Sequence, residues 1–100
     1  NKFWATASIM AAYYEILNVS ANWLIKKGIK KNIANKYISE LFLSLSQDAV
    51  NKKSQGFKKL VADSQTPKGL NMQVLNELKR GRFYSKFIKA MDNINRRVSN

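Results

Sequence analysis

The sequence has no cysteine, no histidine and a single proline, Pro67, in 100 residues. Without cysteine there can be no disulfide and no thiolate metal site. Without histidine the usual zinc ligand sets and imidazole acid–base catalysis are excluded as well. Most mechanisms open to a small enzyme are thereby closed. The six carboxylates, Glu15, Glu40, Asp48, Asp63, Glu77 and Asp92, show no paired spacing suited to general acid–base work or to a cation cage. No catalytic residue and no metal site are expected within the chain. No apolar run reaches the 18 or so residues of a membrane span, and the first residues lack the order of a signal peptide. A cytoplasmic location is the default expectation. The chain opens at Asn1 and enters a helical pattern almost at once, which reads as a piece of something longer.

What the chain has in excess is positive charge: 18 Lys and Arg against 6 Asp and Glu, a formal +12. Clustered cations release counterions from phosphates, so a basic helical nucleic-acid-binding module is one reading. Composition argues for a blander one. Lys, Asn and Ile (14, 11 and 8 residues) supply a third of the chain, the bias an AT-rich genome imposes everywhere. Arginine, preferred for bidentate phosphate contacts, occurs only at 80, 82, 96 and 97. A solvated lysine surface is therefore favoured, and nucleic acid is not the expected partner. By the same reasoning Lys26, Lys27, Lys30 and Lys31 form a solvated corner between helices. Trp4, Trp23, Tyr13, Tyr14, Tyr37 and Phe42, at helical spacing beside Leu and Ile, read as core or subunit interface before they read as stacking platforms for bases.

Hydrophobic spacing gives an all-α fold, a bundle of four to five helices in a single domain over 1–100. Phe3, Ala7, Met10, Tyr14, Leu17, Ala21 and Leu24 recur at alternating steps of four and three from Lys2 to Lys27, and Ala5, Ile9, Ala12, Ile16, Val19 and Trp23 make a second such seam. At about 100° per residue the two seams lie nearly opposite, so this first helix needs two covers. One is expected from a second subunit, with the first seam as the dimer interface. Glu15 lies in the narrow polar strip between the seams, where a cation of another chain is a candidate partner. Gly28 is the expected stop. A second helix follows over about 30–51, with Ile33, Ala34, Tyr37, Ile38, Leu41, Phe42, Leu45 and Ala49 on its stripe. A short turn of helix follows near 57–62. A third stripe of Leu70, Val74, Leu75 and Leu78 ends at Gly81, and a last helix carries Phe83, Phe87, Ala90, Met91, Ile94 and Val98, with Asp92 and Arg96 spaced for weak pairing.

The proline falls in Gln65-Thr66-Pro67-Lys68-Gly69-Leu70-Asn71-Met72-Gln73. Thr66 reads as an N-cap with Pro67 at the first helical position. The N–H groups of Lys68, Gly69 and Leu70 would then lack intrahelical acceptors, which suits an anion, and Lys68 adds charge. An ordinary capped turn between helices is the bland alternative.

This stretch resembles the "TPGGLNEQ" loop of proteins similar to pyrroline-5-carboxylate reductase, and corresponds to the "SPGGTT" loop of the better-studied reductases. The likeness continues through Tyr13-Tyr14, the Trp23-Leu24…Gly28 ending of the first helix, the 37–49 stretch "YISELFLSLSQDA" and the 81–97 tail "GRFYSKFIKAMDNINRR". It covers nearly the whole chain and points to the family's C-terminal dimerisation domain, which resembles that of 6-phosphogluconate dehydrogenase. The resemblance implies an interleaved homodimer, a separate N-terminal Rossmann domain holding NAD(P)H, and a role for Thr66, Lys68, Gly69, Leu70 and Asn71 in holding the carboxylate of a substrate whose imine or carbonyl carbon receives hydride. Proline biosynthesis is the leading case. Lys68 stands inside the family's Gly-Gly pair, and Leu70 and Asn71 replace two threonines. Of the segment that opens the reductases' first helix, Thr6 and Ser8 alone are left as polar contacts.

Overall fold

The computed structural model describes residues 2–99. Its elements are α1 (Lys2–Ala7), α2 (Met10–Lys26), α3 (Lys31–Asn51), a 3₁₀ turn (Lys53–Gln55), α4 (Phe57–Asp63), α5 (Leu70–Arg80) and α6 (Phe83–Ser99). Among the described residues there is no strand, and the fold is all-α as the periodicity predicts.

The expected first helix is not continuous. It is interrupted at Ser8 and Ile9, which makes two helices of one. Two hydroxyls bond back to the backbone at the break. Thr6 Oγ1 donates to the Phe3 carbonyl at 2.9 Å, and Ser8 Oγ donates to the Trp4 carbonyl at 2.7 Å, beside the Ser8 N–H at 3.0 Å. Hydroxyls that bond back to the preceding turn compete with the backbone ladder and bend a helix. The long seam is thereby cut between Ala7 and Met10.

The stop at Gly28 forms as expected. Gly28 takes φ +102°, its N–H bonds the Ile25 carbonyl at 3.0 Å, and the Ile29 N–H reaches back to the Leu24 carbonyl at 3.0 Å. That pair of bonds is the Schellman arrangement, which needs a residue free to adopt the left-handed region.

The chain divides into two compact units, one of residues 10–57 and the other of residues 2–9 with 58–99. In the 10–57 unit, α2 and α3 meet through Ala21, Ala34 and Ile38, flanked by Leu17, Leu24, Ile25 and Phe42. Alanines at the crossing let the two backbones approach, and Ala34 is fully enclosed at 0% exposure. The Tyr13 ring meets Phe42 edge-on at 6.1 Å. In the other unit α1 and α5 both pack on α6. Ala5 is buried there, and Met72, Leu75, Phe87, Met91, Ile94 and Val98 are half-buried. The expected Asp92–Arg96 ion pair is absent: the Arg96 guanidinium donates to the Asn93 side-chain carbonyl instead, a partner one turn away on the same helix.

Among the described residues only Ala5, Ala21, Ala34 and Ile38 are buried, and no polar residue is. Fully burying a large aliphatic side chain contributes about 1.5–3 kcal/mol, and among the described residues only Ile38, at 6% exposure, comes near that. Large apolar side chains stay in water, among them Phe3 (78% exposed), Trp23 (60%) and Leu70 (82%). The two seams of the first pattern fare differently. Leu17, Ala21 and Leu24 of the first seam pack on α3 of the same chain, whereas Phe3, Ala7, Met10 and Tyr14 are exposed. In the second seam Ala5 is buried and Ile16 half-buried, while Ile9, Ala12, Val19 and Trp23 are exposed.

Candidate functional site

The site is built where α4 hands over to α5. Ser64 Oγ and Gln65 Nε2 both donate to the Val61 carbonyl, at 3.0 and 2.9 Å, and the Gln65 N–H bonds Ala62 at 3.3 Å, so α4 is closed by its own next residues. The chain then turns. The Gly69 N–H donates to the Thr66 carbonyl at 2.8 Å, with Pro67 and Lys68 between them, and Lys68 has φ +62°. Proline in the second place and a positive φ in the third are the marks of a type II turn.

This corrects the expected helix start. Thr66 is not the N-cap and Pro67 is not the first helical residue. The left-handed Lys68 separates both from the helix, which begins at Leu70 with Gly69 as its N-cap (φ −80°, ψ 166°) and no side-chain cap. The Gly69 carbonyl accepts the Gln73 N–H at 3.1 Å. The set of free amides moves with it. Gly69 spends its N–H inside the turn, so of the expected three Lys68 and Leu70 keep their N–H groups unbonded, and the donors at the helix end itself are Leu70, Asn71 and Met72.

Gly69 is fixed by space. A Cβ there would lie 2.2 Å from Thr66 Oγ1 and 2.9 Å from the Thr66 carbonyl oxygen. The hydroxyl can rotate away, but the carbonyl is held by the turn's own hydrogen bond.

Thr66, Lys68, Leu70 and Asn71 are exposed and Gly69 is half-buried, so the turn brings all five expected substrate contacts onto one accessible stretch. No acidic residue occupies the first turn of α5, and Lys68 has no ion-pair partner among the described residues. The positive end of the helix dipole is therefore uncompensated by the chain itself, and anions are favoured at such an end. Chemically the stretch offers backbone N–H donors, the Asn71 amide, the Thr66 hydroxyl and the Lys68 ammonium. It can hold an anion.

Several other polar side chains are engaged locally. Thr6 and Ser8 are bonded to backbone within α1. Glu40, Asp48 and Asp63 pair with Lys36, Lys52 and Lys59 at 3.1, 3.2 and 2.8 Å, all i,i+4 and exposed. Glu77 accepts from Gln73 Nε2 at 3.0 Å, and Glu15 from Asn18 Nδ2 at 2.7 Å. In the lysine corner, Lys27 lies over the Trp23 ring at 5.4 Å. No group of three or more potential metal ligands occurs among the described residues, and none of their helices is long and apolar enough to cross a membrane. The nucleic-acid reading gains no support from this arrangement. The sequence reading missed Arg82, which takes φ +61° directly after Gly81 while the glycine itself stays at φ −77°. The available signal was the Gly81-Arg82-Phe83 spacing, which leaves one residue between the C-cap of α5 and the start of α6.

In comparison with known proteins, the family model described as pyrroline-5-carboxylate reductase dimerisation fits residues 3–100. No curated protein and no solved structure matches at a significant level.

Proposed function

The chain belongs to the pyrroline-5-carboxylate reductase dimerisation family, and from that premise we propose that it pairs two oxidoreductase subunits and holds the carboxylate of their substrate. The observation that carries the first half is the poor burial of a lone chain. Four buried residues, three of them alanine, cannot offset the entropy of ordering a chain of this size, and the exposed apolar faces call for a second copy. The second half rests on the 66–71 stretch. A carboxylate fits the N-terminus of α5, where the amides of Leu70, Asn71 and Met72 meet the charge of Lys68 and no acidic residue competes.

In this reading NAD(P)H supplies the hydride when bound, and a separate domain holds it; the described residues contain no glycine-rich strand–turn–helix to receive a pyrophosphate. The chain's own contribution is orientation. It fixes the substrate carboxylate so that an imine or carbonyl carbon, as in pyrroline-5-carboxylate, is presented in one pose. Lys68 and Asn71 take over the anion from the two threonine hydroxyls of the better-studied reductases, and Leu70 contributes only its N–H.

The test uses the oxidoreductase that carries this domain. Pyrroline-5-carboxylate-dependent oxidation of NAD(P)H is expected to show KM raised about tenfold or more by Asn71→Leu or Lys68→Ala, the loss of one charge-assisted hydrogen bond. Unchanged KM in both variants would remove the loop from the substrate site.

A further inference from the structure

α2 carries a polar row that the fold does not use. Asn22 Nδ2 donates to Asn18 Oδ1 at 3.2 Å, and Asn18 Nδ2 donates to Glu15 Oε1 at 2.7 Å. Lys26 ends the helix on the same face. At 100° per residue these four side chains fall within a stripe about 80° wide and about 16 Å long. All four are exposed, and neither Glu15 nor Lys26 has an ion pair among the described residues. Apolar side chains border the row, Tyr14 and Ile25 on one side, Ala12 and Val19 on the other. Tyr14, Asn18, Asn22 and Ile25 also line a cleft of about 410 Å³ against Asn35 and Ser39 of α3. Lys31 of α3 lines it too, so its second helix adds a further cation.

The order along the row, acid, amide, amide, cation, is its own complement when reversed. A two-fold interface demands this property, because one patch must match a second copy of itself. We propose that two copies of α2 pair antiparallel across a two-fold axis near residues 20–21, with Glu15 against Lys26 of the partner subunit, Asn18 against Asn22 of the partner subunit, and the bordering apolar side chains closing the contact. The proposal rests on the dimeric reading above and specifies its register. Apolar helix faces slide; a row of amides closed by one charge of each sign at its two ends matches in one alignment, as single polar positions do in coiled coils. Symmetry makes every contact twice, so each reversed charge produces two repulsions.

Charge exchange tests the register. Glu15→Lys and Lys26→Glu, made separately in this chain, are each expected to raise the dimer dissociation constant at least tenfold in sedimentation equilibrium, with helix content by circular dichroism unchanged because both positions are exposed. Mixed together, the two variants are complementary, and a heterodimer with affinity near that of the original chain is expected. Dimers of either single variant as tight as the original, or a mixture no tighter than its components, would overturn the register while leaving dimerisation standing. A monomeric original chain at micromolar concentration would overturn both.

Discussion

Lys68→Gly isolates the cost of the turn that builds the candidate site. Lys68 sits at φ +62°, where a residue with a Cβ lies about 1–2 kcal/mol above the right-handed region. Glycine removes that strain but gives the unfolded chain more freedom, which takes back about 0.5–1 kcal/mol. The net expectation is stabilisation of up to about 1.5 kcal/mol, centred on about 0.75 kcal/mol, and at about 4–8 °C per kcal/mol for a domain of this length the central value raises the melting temperature by about 3–6 °C. Thermal unfolding followed by circular dichroism at one fixed chain concentration measures it. Lys68→Ala is the control: it removes the same ammonium and keeps the Cβ, so its melting temperature stays with the original. If glycine and alanine shift the transition equally, the effect belongs to the charge, and the reasoning from backbone strain is wrong. A fall in melting temperature with glycine would refute it outright.

Gly69→Ala should act in the opposite direction, because its Cβ meets the Thr66 carbonyl oxygen at 2.9 Å; a loss of about 1–3 kcal/mol is expected in chemical denaturation, the usual cost of forcing atoms into filled space. Arg82→Gly repeats the Lys68 experiment at φ +61° between α5 and α6 and should raise the melting temperature by a similar few degrees; no gain there would show that this turn relaxes around its side chain. Ala34→Leu places a large side chain where none of the surface is open, and loss of the α2–α3 contact is expected as a drop of about 1–3 kcal/mol or more, read from denaturant midpoints. Ser8→Ala removes the hydroxyl bonded to the Trp4 carbonyl and should slow amide exchange around Ile9 as the break partly heals, by about the 0.5 kcal/mol that separates serine from alanine in a helix.

Much of the fold was legible because periodicity marks where helices run. The span of α3, the stop at Gly28, the interruption after Asn51 and the start of α6 all lie where spacing and turn residues place them, but of the α3 stripe only Ala34 and Ile38 are buried, while Ile33, Tyr37 and Leu45 stay exposed. What was not legible turns on competition between near-equal local choices. Ser8 could have continued a helix whose apolar seam runs straight through it, and the chain turns there instead, with the Ser8 hydroxyl bonded back to Trp4. Thr66-Pro67 could have capped a helix, and the left-handed Lys68 delays it by three residues. A charged residue with a Cβ gives no sequence signal that it will take positive φ; both Lys68 and Arg82 do so beside glycines that do not. The candidate site was readable as a stretch but not as geometry, since which amides stay free depends on where the turn ends and the helix begins. The division of the first seam, half of it packed on α3, depends on which neighbour arrives, and one helix's spacing cannot say that.

The discontinuous unit has a consequence for how the chain acquires its structure. Residues 2–9 belong with 58–99, so the 48 residues from Met10 to Phe57 form a closed excursion between them. α2 and α3 are joined by a four-residue connection and can find each other locally, a low-contact-order event. The packing of α1 on α6 must instead bring together two segments far apart in sequence and bear the closure entropy of everything between. The helical pair of the excursion, once formed, shortens that loop and makes the meeting of the ends cheaper. The α5–α6 pair, joined through Gly81 and Arg82, can also form locally, so the late step is the docking of residues 2–9 on α6, a clasp that fastens last. A chain lacking residues 2–9 should keep protected amides in α2 and α3 and lose protection in α6, whereas equal loss in both would mean the clasp is needed from the start.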